Sequence, residues 1–194
     1  RTGSVDPGLT LHVGKKQEQP LASAYPFSFD YRVQASPDFL QVSFHAAQGP
    51  LGTSDYRILV EAMPLDGGRS FLHLSYAYRY GVAANLAMQG YLATGGRDKV
   101  GFSIVGKTAS GAPQYLDGMR AVIERNTMRY YLAIDAYLGA LALPVAARQD
   151  KRLNDWHSGV ERYPRQLHEL ERAAYLSMKR QEIRRQQGQA ATRQ

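Results

Sequence analysis

The spacing of apolar residues along the chain changes near Gly111. Before this point apolar side chains recur at every second position in several short runs, the pattern typical of β-strands. After it they recur at helical spacing in long uninterrupted segments. The first part therefore predicts an antiparallel sheet. The segment from Leu116 to Leu141 predicts a long helix that needs a sheet or groove to pack against.

Five runs show the alternation of a strand with one apolar face. They are Phe27–Val33, Phe39–Ala46, Asp55–Met63, Arg69–Tyr80 and Lys99–Val105. The sequence LTLHVG, residues 9–14, is a further candidate strand at an edge. Gly67 and Gly68 accept positive φ and predict a hairpin between the third and fourth runs. We therefore expect a sheet of five or six strands.

Helical spacing governs the C-terminal half of the chain. One apolar stripe runs along the predicted long helix, made by Ile123, Thr127, Tyr130, Ile134, Leu138 and Leu141. Met128, Leu132 and Ala136 are apolar on its other sides, so the helix should be substantially covered. Pro144 ends this helix, a second helix surrounds Trp156, and Pro164 opens a third. The third helix has a single narrow stripe, made by Leu167, Leu170, Ala174 and Met178. Residues 81–94 predict a short helix between the fourth and fifth strands.

These elements predict an α+β protein in which an antiparallel sheet grips a long helix. We expect residues 1–143 to hold the sheet and the long helix, and residues 144–194 to form a basic helical extension. The chain begins with Arg1 rather than Met, so we expect a processed product or a fragment that lacks preceding residues. Its 194 residues suffice for one domain with a core, plus a tail.

The net charge of +7 is concentrated in the C-terminal part. From Val145 onward there are eleven Lys and Arg against six Asp and Glu, with a cluster at residues 179–185. This cluster suits either weak contact with an anionic membrane or a solvated helix end. We expect no nucleic-acid partner. The absence of cysteine excludes disulfides, thiolate nucleophiles and cysteine metal sites.

Histidine and acidic residues do not form a recognisable catalytic or metal motif. His45 and His73 lie on the polar sides of two strands, where they suit a metal, a general base or plain exposed positions. Asp155, His157, Glu161 and His168 have no metal-binding spacing. We therefore predict no catalytic residue, no metal and no cofactor.

Tyrosines and arginines form the candidate ligand site. Tyr56, Tyr76 and Tyr78 place phenol groups among aliphatic side chains, and a buried phenol needs a hydrogen-bond partner. Arg125 and Arg129 lie one helical turn apart, beside Tyr130. The arginines could clamp a carboxylate or phosphate head group, or they could pair internally. The candidate internal partners are Asp55, Glu61 and Asp135.

The strands from Phe27 to Val105 and the helix from Asp117 to Leu138 resemble the START-like, or SRPBCC, helix-grip superfamily. The resemblance implies that a lipid-like molecule is held in a cavity between sheet and helix, either for transport or for catalysis. The chain also looks like uncharacterised exported proteins of proteobacteria, which implies an exported or periplasmic location.

The leading functional hypothesis is binding or carrying of an apolar or amphipathic small molecule without catalysis. One alternative is a cyclase- or hydrolase-type enzyme of the same superfamily. Another is a structural or interaction protein with a packed sheet face and no cavity. A cavity lined by the apolar sheet face would distinguish the first two hypotheses from the third.

Overall fold

The computed structural model describes residues 8–14, 19–82, 85, 86, 90 and 98–192. It confirms the α+β class, with a five-stranded antiparallel sheet, additional helices and a helix at the C-terminal end. The chain divides into two compact units. The sheet unit contains the described residues up to 98 together with 118–123, and the helical unit contains 99–117 and 124–192. The predicted boundary after residue 143 and the gripping of the helix by the sheet stay predictions.

The five strands of the sheet unit follow one another as an antiparallel meander in chain order. They are β1 (Gly8–Val13), β2 (Tyr25–Ser36), β3 (Phe39–Gln48), β4 (Thr53–Leu65) and β5 (Arg69–Tyr80). Gly67 and Gly68 have φ of 74° and 69° between β4 and β5, which confirms the predicted hairpin. The candidate edge strand is confirmed as β1.

Side-chain alternation gives the sheet an apolar face and a polar face. Three rows of aligned residues cross β2 to β5 on the apolar face. The row nearest the buried core is aromatic and aliphatic, with Tyr31, Phe44, Ile58 and Tyr76. The next two rows, here called the aliphatic rows, are Val33, Val42, Val60 and Leu74, and then Ala35, Leu40, Ala62 and Leu72.

The helical unit contains a small hairpin and most of the helical residues. Its strands are β6 (Ile104–Lys107) and β7 (Pro113–Tyr115). Its helices are α1 (Gly118–Gly139), whose first six residues belong to the sheet unit, α2 (Val145–Val160), α3 (Pro164–Leu167) and α4 (Arg172–Thr192). Leu132, Val160 and Leu167 form its buried core.

The prediction that Lys99–Val105 forms a strand of the main sheet is wrong. The Glu124 carboxylate accepts hydrogen bonds from the backbone N–H groups of Phe102 and Ser103, at 2.6 and 3.0 Å. These groups are therefore bonded to a helix side chain. Only from Ile104 does the chain form a strand, and this strand pairs with β7 around a turn in which Gly111 has φ of 82°. Phe102 packs in the helical core.

The long helix is confirmed, but it is covered less completely than predicted. Along it Ala121, Arg125, Leu132 and Ala136 are buried. In the predicted stripe, by contrast, Leu138 is 54% exposed. Helix α1 is apolar on two sides, so periodicity identified an apolar stripe without showing which stripe packs. The small alanines allow close packing on the side that is buried.

The predicted third C-terminal helix is interrupted at residues 168–171. The Lys99 ammonium donates to the carbonyl of His168, and the His157 ring lies 3.0 Å from the carbonyl of Leu170. Side chains thus satisfy carbonyls that a continuous helix would bond internally. The stripe predicted from Leu167 to Met178 is therefore split between α3 and α4, and Tyr175 is the buried aromatic residue of α4.

In the predicted helix at residues 81–94, Val82, Asn85, Leu86 and Gly90 are helical, and the other residues from 83 to 94 lie outside the described part. The Asn85 N–H donates to the Gly81 carbonyl at 3.0 Å. Within the described part of the chain, no helix has both the length and the apolar character needed to cross a membrane.

Candidate functional site

An aromatic cluster on the apolar face brings the three predicted tyrosines together. The rings of Tyr56 and Tyr78 stack with centroids 5.0 Å apart and planes 9° apart. Tyr76 lies 6.3 Å from Tyr56 and 5.5 Å from Tyr78. Phe27 and Phe29 complete the buried side, with the Phe27 ring 4.7 Å from the Tyr56 ring. Aromatic pairs of this kind contribute roughly 0.5–1.5 kcal/mol each beyond their buried area.

The phenol groups of Tyr56 and Tyr78 have hydrogen-bond partners within the sheet unit. The Tyr56 hydroxyl donates to Thr53 Oγ1 at 2.7 Å, and Thr53 donates in turn to the Pro50 carbonyl at 2.5 Å. The Tyr78 hydroxyl donates to Met119 Sδ at 3.4 Å. Burial raises the pKa of Tyr56 above its ordinary value, so this phenol stays neutral at physiological pH. The cluster therefore presents neutral rings and hydroxyl groups.

A β-bulge in β4 sets the position of Tyr56. The register between β4 and β5 shifts between Ser54 and Arg57, and Asp55 has φ of 51° at this point. A bulge redirects the side chains beside it. Gly49 makes room for the ring, because a Cβ atom there would lie 2.3 Å from Tyr56 Cε2.

The aliphatic rows remain open beside this aromatic cluster. Val33 is 54% exposed and Leu40 is 38% exposed, and their neighbours Val42, Val60, Leu72 and Leu74 are only half-buried. At the β1 edge, beside the buried Phe27 and Phe29, the side chains of Leu9, Leu11 and Val13 are also exposed. The apolar face is thus packed around the aromatic cluster and accessible along the aliphatic rows and at the β1 edge.

The predicted arginine pair lies in the helical unit and bonds there. Arg125 is only 3% exposed and donates to the Val100 carbonyl at 3.3 Å. Arg129 donates to Glu169 Oε1 at 2.7 Å. Glu169 is an internal partner that the sequence interpretation did not include. Tyr130, the sixth predicted site residue, is exposed on α1.

His45 and His73 are not cross-strand neighbours, because they face Arg57 and Glu61 respectively, four positions apart on β4. His73 Nδ1 lies 2.9 Å from Glu61 Oε2, and Gln41 donates to the other oxygen of Glu61 at 2.8 Å. The bonds from His73 and Gln41 lower the pKa of Glu61. His73 therefore belongs to a polar cross-strand network.

The C-terminal histidines also have structural partners. His157 is buried against the Leu170 carbonyl, and His168 Nδ1 lies 2.9 and 3.1 Å from the two oxygens of Glu161. Lys151 donates to Asp155 at 2.7 Å along α2. In the described ranges, no group of three or more histidine or acidic side chains is arranged to hold a metal ion.

The predicted basic cluster at residues 179–185 lies in α4. Lys179 donates to Glu182 at 2.8 Å, and Arg180 forms two hydrogen bonds to Asp150 of α2. Arg184 and Arg185 are exposed. Part of this charge therefore joins α4 to its neighbour, and membrane contact stays a prediction.

Sequence reasoning missed the contribution of Phe27 and Phe29 to the site. Alternation placed each on the apolar side of its strand, but only the sheet register brings them beside Tyr56. The positive φ of Asp55 had no sequence signal beyond the tolerance of aspartate for this conformation.

No family model, curated protein or solved structure matches the chain.

Proposed function

We propose that the protein binds or carries an apolar or amphipathic small molecule on the apolar face of its sheet. The observation that supports this proposal is the continuation of the apolar face beyond its buried core. The aliphatic rows present a contiguous and partly exposed apolar surface, and such surfaces on soluble domains commonly mark interaction sites.

The chemistry of the face indicates how a ligand would lie. Burial of apolar surface supplies about 25 cal/mol for each Å² removed from water, so a hydrocarbon chain or ring system gains most from the aliphatic rows. Tyr76 is the β5 member of the neighbouring row that contains Tyr31, Phe44 and Ile58. Its phenol places a polar group beside the aliphatic rows. An amphipathic molecule fits this combination better than a sugar or a nucleotide.

The hydrogen bonds of the two arginines favour internal pairing over the head-group clamp. Arg125 and Arg129 are engaged inside the helical unit, so the proposed ligand contacts centre on the sheet and its tyrosines. This binding mode accords with the helix-grip resemblance, in which the sheet supplies the apolar wall of the ligand site. We propose membership of that superfamily on the same pattern, and an exported location with it.

A pair of neighbouring lysine substitutions tests the proposal. Val33 and Gln34 are adjacent exposed residues of β2 whose side chains lie on opposite faces. Val33→Lys places a charge in the aliphatic rows, and Gln34→Lys places the same charge on the polar face. We expect the neutral fluorescent probe N-phenyl-1-naphthylamine to bind the wild type and Gln34→Lys equally. Binding to Val33→Lys should be at least about tenfold weaker.

Circular dichroism checks that both variants fold. The double variant Val33→Lys/Leu40→Lys should lose more probe binding than Val33→Lys alone, since both positions face the same patch. Equal binding to all four proteins, or no probe binding to the wild type, would contradict the proposal.

A further inference from the structure

An open basin of about 680 Å³ lies on the sheet, and its lining comes mainly from the polar face. Two adjacent rows of the register supply most of this lining. One row is Arg32, Ser43, Leu59 and Ser75, and the other is Asp30, His45, Arg57 and Ala77. The serines and the alanine are short, whereas the surrounding side chains are long. The low parts of the basin, here called the depression, are therefore at Ser43 on β3 and at Ser75 and Ala77 on the edge strand β5, and longer side chains stand between them.

The charges around this depression favour an anion. Its lining carries two guanidinium groups against one carboxylate, that of Asp30, and the His45 imidazole adds an N–H donor. Ser43 and Ser75 add hydroxyl donors, which can bind carboxylate or phosphate oxygens. Leu59 and Ala77 add apolar surface to the lining, which suits a ligand with a carbon skeleton.

Asp55 orients the basic groups although it does not line the basin. From its position in the β-bulge its carboxylate lies 3.6 Å from Arg57 Nη2, 3.0 Å from Arg79 Nε and 3.6 Å from His45 Nε2. Arg57 makes this contact through one terminal nitrogen, and its side chain is 63% exposed. A guanidinium carries five N–H donors, so Arg57 retains donors for a ligand. Left-handed backbone at a bulge is a feature found often at functional sites.

We infer that this basin is a second ligand site, which binds a small organic anion through Arg57, His45 and the two serines. The ligand is a carboxylate or a phosphate monoester with an apolar body of modest size. The volume of the basin lies within the range of small-molecule sites, roughly 300–1,000 Å³. Because most of these side chains lie on the opposite face from the aliphatic rows, the inference does not rest on the proposed function.

Three related probes test the site by isothermal titration calorimetry. Phenyl phosphate and benzoate carry the two anionic groups on the same ring, and benzyl alcohol is a neutral analogue. We expect saturable binding of at least one anion and at least about tenfold weaker binding of benzyl alcohol. Tighter binding of phenyl phosphate would identify a phosphate site, and tighter binding of benzoate would identify a carboxylate site.

Variants locate the bound anion. Arg57→Gln should weaken binding about tenfold, because a charge-assisted hydrogen bond is removed. Ser75→Phe should block binding by filling the depression. The matched control is Arg69→Gln, which removes an arginine six residues from Ser75 on the same face of β5, roughly 20 Å away. Equal binding of benzyl alcohol, or undiminished binding by Arg57→Gln and Ser75→Phe, would overturn the inference.

Discussion

At the scale of single residues, the site depends on a glycine that no side chain can replace without movement. Gly49 is buried and extended, with φ of −144°, so its backbone conformation is open to any residue. The constraint is steric, since a Cβ atom would meet both Tyr56 Cε2 and Thr53 Oγ1, the latter at 2.9 Å. A side chain at position 49 would therefore disturb both the packing of the Tyr56 ring and the hydrogen bond between its hydroxyl and Thr53.

We expect Gly49→Ala to lower the free energy of unfolding by about 1–3 kcal/mol, because it overpacks a rigid aromatic cluster. Urea denaturation measures the change. The control is Gly188→Ala in α4, where an added Cβ meets nothing within 4 Å and alanine is the better helix former. A Gly49→Ala protein as stable as the Gly188→Ala protein would show that Tyr56 is not held tightly.

Tyr175 gives the helical unit a dependence on alkaline pH. Burial raises the pKa of Tyr175 to about 12, and the nearby charge of Glu182 adds a smaller contribution. The unfolded chain releases this proton near pH 10 and the folded chain near pH 12, so ionisation favours unfolding between these values. Relative to that of Tyr175→Phe, the free energy of unfolding of the wild type should fall by about 1.4 kcal/mol per pH unit above pH 10.

Urea unfolding at pH 9, 10 and 11 compares the two proteins, with the exposed-site variant Tyr131→Phe as the control. Tyr131→Phe should follow the wild type. A constant difference between wild type and Tyr175→Phe across this range would mean that Tyr175 titrates alike in both states.

At the scale of elements, the sequence predicted most strands and helices because each has a clear period. The prediction from sequence was wrong where the same spacing of apolar residues is compatible with two ways of packing. Alternation at Val100, Phe102 and Ile104 suits a strand of the main sheet as well as an irregular segment that packs on helices, and only the Glu124 hydrogen bonds distinguish them. Helix α1 has two apolar stripes, so its buried side depends on partners that are distant in sequence.

The candidate site was predictable to a similar degree. The tyrosines came from alternation within β4 and β5, and they do meet. Their neighbours and hydroxyl partners required the sheet register and a bulge, which are long-range features. The partner of Arg129 lies forty residues away, beyond the reach of spacing arguments.

At the scale of the whole molecule, the proposed function depends on the apolar face of the sheet. Its aliphatic rows are partly exposed, and this accessible apolar surface is the proposed binding site for the ligand. Native mass spectrometry of freshly purified protein, followed by lipid extraction of the same sample, tests this most directly. We predict a population with added mass that extraction recovers as an apolar or amphipathic compound, and its depletion in Val33→Lys/Leu40→Lys. Protein with no added mass that also fails to take up N-phenyl-1-naphthylamine would contradict the account.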